Sequence, residues 1–251
     1  MNVIHLGSVD STNNYLRYLV EQDPDLETFT IVTADSQTQG KGQRGNKWDS
    51  EPGMNLHFSM LLRPDLLAAP KARLFDINVI SALAVREALN DRISRSRVFI
   101  KWPNDILVED KKIAGILTEN QFSGFTLEYS IVGIGVNVNQ TDFHDYPRSA
   151  TSLAIESEGE VDILQLSKDI AKGIRKRIDN LPASADDLRN KYHQHLYKLG
   201  DSEWYKTSDG EIFKGTIQHV EENGLLIIRD DATGKNRSFA FKQVQFMTGE
   251  N

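Results

Sequence analysis

Residues 34–48 read ADSQTQGKGQRGNKW, and the rest of the chain can be interpreted outward from this stretch. Glycine lets the backbone bend into positive φ and brings N–H groups close to an anion, so a Gly-rich cationic segment predicts a phosphate-binding loop. A solvated surface loop has a similar composition. Trp48 favours the ligand site, because a large aromatic ring can stack on a flat ligand. Three glycines alternate here with three cations: Gly40, Lys41, Gly42, Arg44, Gly45 and Lys47.

Residues 40–45 also match the dinucleotide-binding pattern G-x-G-x-x-G. In that fold the glycines follow a strand and open a helix. A strand is predicted at residues 29–33, but residues 46–53 contain Pro52 and Gly53 and have no apolar residues at helical spacing. The flanking sequence therefore argues against a dinucleotide site. The lack of a following Gly-Lys-Ser/Thr argues against a Walker A loop.

Composition narrows the class of protein. The 251 residues are 39% hydrophobic and 26% charged, as in globular proteins, and they suffice for one large domain with a small appendage. The net charge of −7 argues against a DNA partner, because phosphate affinity needs clustered cations. The sequence has no cysteine, which fits a reducing, cytoplasmic location. It shows neither a signal peptide nor a long apolar run, so no membrane partner is expected.

The first half of the chain alternates strands and helices. Residues 8–22 begin with a strand-to-helix junction at which Ser11 or Thr12 can cap the helix, and these polar groups can equally bind a small ligand. Residues 54–62 alternate apolar and polar, which predicts a half-buried strand. Residues 74–89 have helical periodicity and predict the central helix on the sheet.

A second stretch rich in polar groups lies at residues 98–119. A strand is interrupted at Pro103 and then resumes, so that Lys101 and Asp105 are expected in one cleft. A turn at residues 109–111 leads into a returning strand. A period of two puts Lys112 on the same side as Ala114 and Ile116, a position that requires an anionic partner for the cation.

The remaining elements are a strand, two helices and a small all-β unit. The strand at residues 126–139 contains Gly133 and Gly135, whose missing side chains suggest close approach by a ligand or another backbone. Helices are predicted at residues 162–181 and 185–199, the second ended by Gly200. Short apolar runs separated by turns at residues 208–210, 222–224 and 230–234 then predict a β-barrel.

Five motifs follow one another in a characteristic order. They are SVDSTN at residues 8–13, the glycine-basic loop, KWPND at 101–105, KIAGIL at 112–117 and GIGVN at 133–137. In this order the chain resembles the biotin protein ligases, without the N-terminal helix-turn-helix domain that some bacterial members carry. The resemblance implies an α+β catalytic domain at residues 1–199, with a mixed β-sheet and helices packed mainly on one face. It also implies an SH3-like β-barrel at residues 200–251.

The resemblance further implies an activity. Such ligases join biotin to ATP, giving biotinyl-5′-AMP and pyrophosphate, and then transfer biotin to a lysine of the carrier domain of a biotin-dependent carboxylase. A carboxylate must attack a phosphate, so fixed positive charge is a large catalytic term. Lys41, Arg44, Lys112 and Mg²⁺ would supply that charge, and the metal ligands stay unassigned. The protein is expected to be a monomer or a homodimer.

Site residues are carried over from the matching motifs. Asp105 would orient or deprotonate the incoming lysine, or serve a structural or metal-linked role. The implied catalytic residues are Lys41, Arg44, Asp105 and Lys112. The implied biotin-binding residues are Ser11, Thr12, Asn13, Gln37, Gly40, Lys112 and Gly115. The implied nucleotide-binding residues are Lys41, Gly42, Gln43, Arg44, Trp48, Asn104, Lys112 and Asn137.

The glycine-basic loop departs from the pattern Gly-Arg-Gly-Arg-x-Gly of many members. Lys41 keeps the charge but loses the guanidinium group, and Gln43 loses the charge as well. We expect the adenylate to be held less tightly unless Arg44 or Lys47 compensates.

Two alternatives stay open from sequence. A lipoate ligase or octanoyl transferase shares the catalytic fold, and the acid that supports pyrophosphate release distinguishes it. A non-catalytic protein that binds biotin or its adenylate would be expected to lack the loop cations, which are present here.

Overall fold

The computed structural model describes residues 1–64, 73–143 and 149–247, with the side chains of Arg44, Pro182 and Ala183 excepted. A seven-stranded sheet organises the first part of the chain. Its order is β1-β2-β3-β7-β6-β5-β4, with β1 parallel to β2 and the other neighbours antiparallel. The predicted mixed sheet is therefore confirmed. Its strands are β1 (Val3–Val9), β2 (Ile31–Gln37), β3 (Leu56–Leu62), β4 (Val98–Lys101), β5 (Asp105–Val108), β6 (Lys111–Ser123) and β7 (Thr126–Val136).

Helices cover both faces of this sheet. The first helix, Thr12–Gln22, packs alone on one face through Leu16 and Val20. The longer helices pack in the main core on the other face. The expectation of helices mainly on one face is confirmed. No helix in the described ranges has the length and apolar character needed to cross a membrane. The helices are α1 (Thr12–Gln22), α2 (Asp76–Asn90), α3 (Leu153–Ser157), α4 (Ile163–Asp179) and α5 (Leu181–Gln194).

Strand β3 is buried along its whole length, so the prediction of a half-buried strand is wrong. Phe58 and Met60 enter the main core, whereas Leu61 packs in the smaller core with Leu16 of α1. The polar residues between them are also covered, because α1 closes the face that alternation assigned to solvent. Ser59, for example, is fully buried.

The chain reverses direction at Pro103. Strands β4 and β5 form an antiparallel hairpin in which Lys101 pairs with Asp105, and the Trp102–Pro103 peptide bond is cis. The prediction that one strand resumes after Pro103 is therefore wrong, since the residues between the strands make a turn. The hairpin still places Lys101 and Asp105 side by side.

A five-stranded antiparallel sheet follows α5, with the order β11-β10-β9-β8-β12. Glycines with positive φ occupy the three predicted turns, at Gly210, Gly224 and Gly234. The small all-β unit is therefore confirmed, although β8 was not predicted. Its strands are β8 (Ser202–Thr207), β9 (Ile212–Val220), β10 (Leu226–Asp230), β11 (Asn236–Phe239) and β12 (Val244–Phe246).

The segment after α5 joins the two sheets. Helix α5 ends at Gln194 and not at the predicted Gly200, because Leu196 forms an isolated parallel bridge with Ile100 of β4. Arg189 of α5 forms a bidentate ion pair with the buried Asp76 of α2 and contacts Glu222 in the β9–β10 turn. These contacts fix the second sheet beside the first.

Candidate functional site

A cavity of about 1040 Å³ lies where the first sheet, the glycine-basic loop and the second sheet meet. Its wall collects residues from all five sequence motifs, although these are far apart in the chain. The predicted site residues that line it are Ser11, Thr12, Asn13, Gln37, Lys41, Gly42, Gln43, Trp48, Asn104, Asp105, Lys112 and Gly115.

Three predicted site residues are not part of the described wall. The Asn137 side chain is buried and donates a hydrogen bond to the carbonyl of Thr151, at 3.0 Å. Gly40 supports the base of the loop, where an added Cβ would lie 2.2 Å from the Trp48 carbonyl oxygen. The side chain of Arg44 lies outside the described residues, so its role stays a prediction.

Lys112 and Asp105 form the central ion pair, with 2.6 Å between Nζ and Oδ1. The predicted anionic partner of Lys112 is thus present. The predicted side of Lys112 is wrong, because a β-bulge interrupts the alternation: Leu107 pairs with Lys112 but Ile106 pairs with Ala114. The ammonium group consequently lies beside Gly115, 3.4 Å from the position that a Cβ would occupy there.

Two glycines paired across β6 and β7 make a flat platform under the indole of Trp48. An added Cβ would lie 3.1 Å from the ring at Gly115 and 2.5 Å from it at Gly135. The predicted close approach at Gly135 is therefore confirmed, but the approaching group is a side chain and not the expected ligand or backbone. Lys112 Nζ lies 5.5 Å from the ring centroid.

Two buried polar atoms on this side of the cavity lack a hydrogen-bond partner among the described residues. They are Nε1 of Trp48, a donor, and Oε1 of Gln43, an acceptor. Buried polar atoms without partners are rare in folded proteins. The amide of Asn104, by contrast, already donates to the carbonyl of Ile116 at 2.8 Å.

The glycine-basic loop folds back on itself. The N–H of Gly42 donates to Asn46 O at 2.7 Å, and the N–H of Trp48 donates to Gly40 O at 3.0 Å. A single 3₁₀ turn, Gln43–Gly45, lies between these bonds. Lys41 reaches the start of α1, where Nζ donates to Asn14 Oδ1 at 2.6 Å.

The start of α1 is held by Gln37. Ser11 is the N-cap residue, but the predicted side-chain cap is not formed by Ser11 or Thr12. Gln37 Oε1 instead accepts from the N–H of Thr12, at 2.8 Å. The side chain of Gln37 therefore does the capping, and its amide remains on the cavity wall.

Asn13 occupies the space that Gly133 leaves open. An added Cβ at Gly133 would lie 2.4 Å from Asn13 Oδ1, so the predicted close approach is confirmed here too, again by a side chain and not by the expected ligand or backbone. The Asn13 amide donates to Glu119 and accepts from Ser59. Neither Ser59 nor Glu119 was predicted as part of the site. The polar positions within β3 were the available signal, but they were assigned to solvent.

His57 of β3 anchors the chain after Trp48, and the sequence analysis missed it too. Its Nδ1 contacts the carbonyl of Ala34 at 3.1 Å and must donate, so Nε2 accepts from the Ser50 hydroxyl at 2.7 Å. Burial lowers the pKa of His57, and the Asp35 carboxylate opposes this shift more weakly. The neutral ring therefore fixes Ser50, two residues beyond Trp48.

The second sheet supplies the opposite wall of the cavity. Lys101 Nζ lies 4.9 Å from the ring centroid of Phe246 and 5.9 Å from that of Tyr197. Tyr197 donates a hydrogen bond to Asp110 Oδ1 at 2.5 Å. Burial is the largest cause of the raised pKa of Tyr197, and this hydrogen bond is the next largest. Trp204 adds a half-exposed aromatic surface. Residues beyond 200 thus help to enclose the site.

The donor set does not form a protein-only metal cage. No cluster of three or more His, Cys, Asp or Glu side chains occurs among the described residues. Three carboxylates line the cavity: Asp105, Asp110 and Glu203. Each is bonded to a neighbouring cation or hydroxyl group. Such a site suits a Mg²⁺ ion that arrives on substrate phosphates and needs one or two protein carboxylates.

The sequence profile of the biotin/lipoate A/B protein ligase family matches residues 6–137, more than half of the chain. The chain belongs to this family. The profile covers the seven strands of the first sheet except the beginning of β1 and includes the five motifs.

Known members of the family resemble the chain over different lengths. The bifunctional ligase/repressor BirA of Bacillus spizizenii is 32% identical over 203 residues, which cover 79% of this chain and 61% of BirA. The chain thus spans about three fifths of that relative. The biotin–[acetyl-CoA-carboxylase] ligase of Paracoccus denitrificans is 29% identical over 233 residues, 90% of this chain and 94% of the relative.

A solved structure matches almost the whole chain. The biotin protein ligase of Aquifex aeolicus, in complex with biotin and ATP, superposes with a TM-score of 0.79 at 26% identity. The match covers 98% of both chains. The similarity therefore extends over both sheets.

Proposed function

We propose that the protein is a biotin protein ligase. It would activate biotin with ATP to biotinyl-5′-AMP and transfer the biotinyl group to a lysine of the carrier domain of a biotin-dependent carboxylase. The observation that carries the proposal is the convergence of the five motifs on one cavity that holds the Lys112–Asp105 pair. The Aquifex relative, which binds biotin and ATP, supports it over 98% of both chains.

The cavity has a place for each reactant. The indole of Trp48, which covers the glycine platform, would provide a flat apolar surface for adenine on its other face. Thr12 and Gln37 provide polar groups for the ureido ring of biotin. Lys112 lines the same cavity with Nζ 5.5 Å from the ring centroid of Trp48, and it would contact the biotin carboxylate and the α-phosphate.

In the first step a biotin carboxylate oxygen attacks the α-phosphorus of ATP. The bond from that phosphorus to the bridging oxygen breaks, and pyrophosphate leaves. Two anions must approach each other, so Lys112 and Lys41 lower the barrier by fixed positive charge in a partly desolvated site. Mg²⁺ bound to the ATP phosphates would neutralise further charge, with Asp105 and Asp110 as the carboxylates in reach.

In the second step the neutral amine of the acceptor lysine attacks the biotinyl carbonyl carbon. The bond from that carbon to the phosphate oxygen breaks, and AMP leaves. Asp105, held by Lys112 at 2.6 Å, would orient the amine and accept its proton.

We also propose how the chain is organised. The domain boundary would lie between residues 199 and 200, the second sheet would be an SH3-like barrel, and the protein would be a cytoplasmic monomer or homodimer. The second sheet would take part in catalysis by enclosing the cavity.

Pyrophosphate release from Mg-ATP tests the activity, with biotin, lipoate and octanoate offered separately. We expect release with biotin alone and its loss in Lys112→Ala. Lys111→Ala is the matched control, because Lys111 is the exposed neighbouring residue in β6 and does not line the cavity. Release with lipoate or octanoate would assign the protein to another branch of the family. No release with any acid would refute the ligase proposal.

A further inference from the structure

The ammonium group of Lys41 lies at the end of a short chain of hydrogen bonds. Lys41 Nζ donates to Asn14 Oδ1 at 2.6 Å, and Asn14 Nδ2 donates to Asp10 Oδ2 at 2.5 Å. An ammonium group can only donate and an ionised carboxylate can only accept. The Asn14 amide must therefore turn its oxygen toward Lys41 and its nitrogen toward Asp10. Each bond uses a hydrogen atom of its own, so the two bonds do not compete.

The two residues that hold Lys41 lie on well-ordered parts of the fold. Asp10 directly follows β1, and its backbone carbonyl accepts from the N–H of Gln39 at 2.8 Å. Asn14 lies in the first turn of α1. The hydrogen bond from Asn14 is the largest cause of the lowered pKa of Asp10, and the charge of Lys41 adds to it against the opposing effect of burial. Asp10 is therefore held in the ionised form that fixes Asn14.

The loop itself does not fix this ammonium group. Lys41 is exposed and lies between Gly40 and Gly42, where the backbone has unusual freedom. It also forms an isolated antiparallel bridge with Lys47, and like charges that lie directly opposite each other repel. Among the described residues, Asn14 supplies the hydrogen-bond acceptor for Lys41 Nζ. Loss of this acceptor would leave a mobile cation beside a second one.

Asn14 holds the lysine without cancelling its charge. An amide oxygen is neutral, whereas Lys112 is paired directly with the carboxylate of Asp105. One of the three ammonium hydrogens of Lys41 is used by Asn14, so two remain for an anion in the cavity. Lys41 lines the described cavity wall, whereas Asn14 and Asp10 lie outside it. The two supporting residues can therefore act on a bound reactant only through Lys41.

Building on the proposed function, we propose that Asn14 is a positioning residue for the adenylation step. It keeps the Lys41 ammonium at a fixed place on the cavity wall, and Asp10 keeps Asn14 in the orientation that this requires. The positive charge is then in place before the biotin carboxylate and the α-phosphate meet. A charge that is already positioned lowers the barrier more than one that must first be ordered.

Asn14→Ala tests the proposal by pyrophosphate release from Mg-ATP and biotin. We expect kcat to fall by about fivefold, the size of one partly exposed hydrogen bond, and the KM values for biotin and ATP to change by less than about twofold. The reason is that Lys41 acts on charge that builds up in the transition state. Gln22→Ala is the matched control, because Gln22 is an exposed residue at the other end of the same helix.

Two further measurements separate positioning from a structural role. In a Lys41→Met background there is no ammonium group to hold, so Asn14→Ala should cause no further loss of kcat, whereas a structural effect would be additive. Trypsin cleavage after Lys41 in the protein without ligands should be about fivefold faster in Asn14→Ala than in wild type and Gln22→Ala, because the same hydrogen bond must open. Asp10→Asn provides a second variant if Asn14→Ala does not fold, since an amide at residue 10 no longer fixes Asn14, and it should produce both effects.

An unchanged rate of cleavage after Lys41 in a folded variant would overturn the hold of Asn14 on the lysine. Faster cleavage with unchanged kcat, or an additive loss in the Lys41→Met background, would overturn its role in the reaction. Absence of pyrophosphate release by the wild type would instead refute the proposed function and the catalytic role of Asn14 with it, while the cleavage rates would still report whether Asn14 holds Lys41.

Discussion

Replacing Gly135 by alanine should displace Trp48 from the cavity. The added Cβ would lie 2.5, 2.8 and 2.9 Å from three ring atoms of Trp48, whereas carbon atoms in contact are normally about 3.5–4 Å apart. The strand cannot yield, because Gly135 is paired with His57 on one side and Gly115 on the other. The indole must therefore move by about 1 Å, on the basis of the same contact distance.

The cost of such overpacking is about 1–3 kcal/mol. If Trp48 stacks on adenine, this cost weakens ATP binding by about 5-fold to 150-fold, since 1.4 kcal/mol corresponds to tenfold. Titration calorimetry with ATP measures the change. Gly7→Ala is the matched control, because Gly7 also lies in a strand and an added Cβ there meets nothing within 4 Å. ATP affinity within twofold of wild type in Gly135→Ala would refute this placement of the nucleotide.

Stability and adenylate retention give three further tests. Arg189→Met should lower the free energy of unfolding by about 3–5 kcal/mol, because it leaves the buried Asp76 without its cation. Arg95→Met is the control: it removes the exposed ion pair with Glu158 and should change the free energy of unfolding by about 0.5 kcal/mol or less. Equal effects of the two substitutions in denaturant titrations would contradict this prediction. Burial lowers the pKa values of three histidines below 6.5: His57, His193 and His195. Each therefore binds a proton less readily when folded than when unfolded, so stability should fall as the pH drops below 6.5. Tm should be lower at pH 5.5 than at pH 7.5, and the difference should be smaller in His57→Gln. Gln43→Arg should slow the release of free biotinyl-adenylate by adding a cation where an unpartnered amide oxygen now lies, and equal release rates would contradict this.

Periodicity and turn residues were sufficient to predict most of the fold. The apolar spacing of residues 74–89 and 162–181 corresponds to α2 and α4, because most of α2 and one face of α4 pack in the core. The turns at Gly210, Gly224 and Gly234 need positive φ, which glycine adopts without strain. These are local requirements, and they are therefore visible in the sequence.

Errors arose where a distant element changed the local pattern. The alternation in β3 predicted solvent on one side, but α1 covers that side and buries Ser59. A period of two assigned Lys112 to the side of Ala114, but a bulge opposite Leu107 rotates it to the side of Gly115. Neither the packing partner of a strand nor an extra residue in its ladder follows from the composition of the strand itself.

The glycines of the motifs explain why the site could be located although its contacts were not. At Gly115, Gly133 and Gly135 the missing side chain is replaced by a group from another part of the chain, Trp48 of the loop or Asn13 of α1. A glycine inside a strand therefore indicates close approach, and the sequence predicts this correctly. Which group approaches depends on the register of β6 and β7 and on the position of α1. That assignment required the structure.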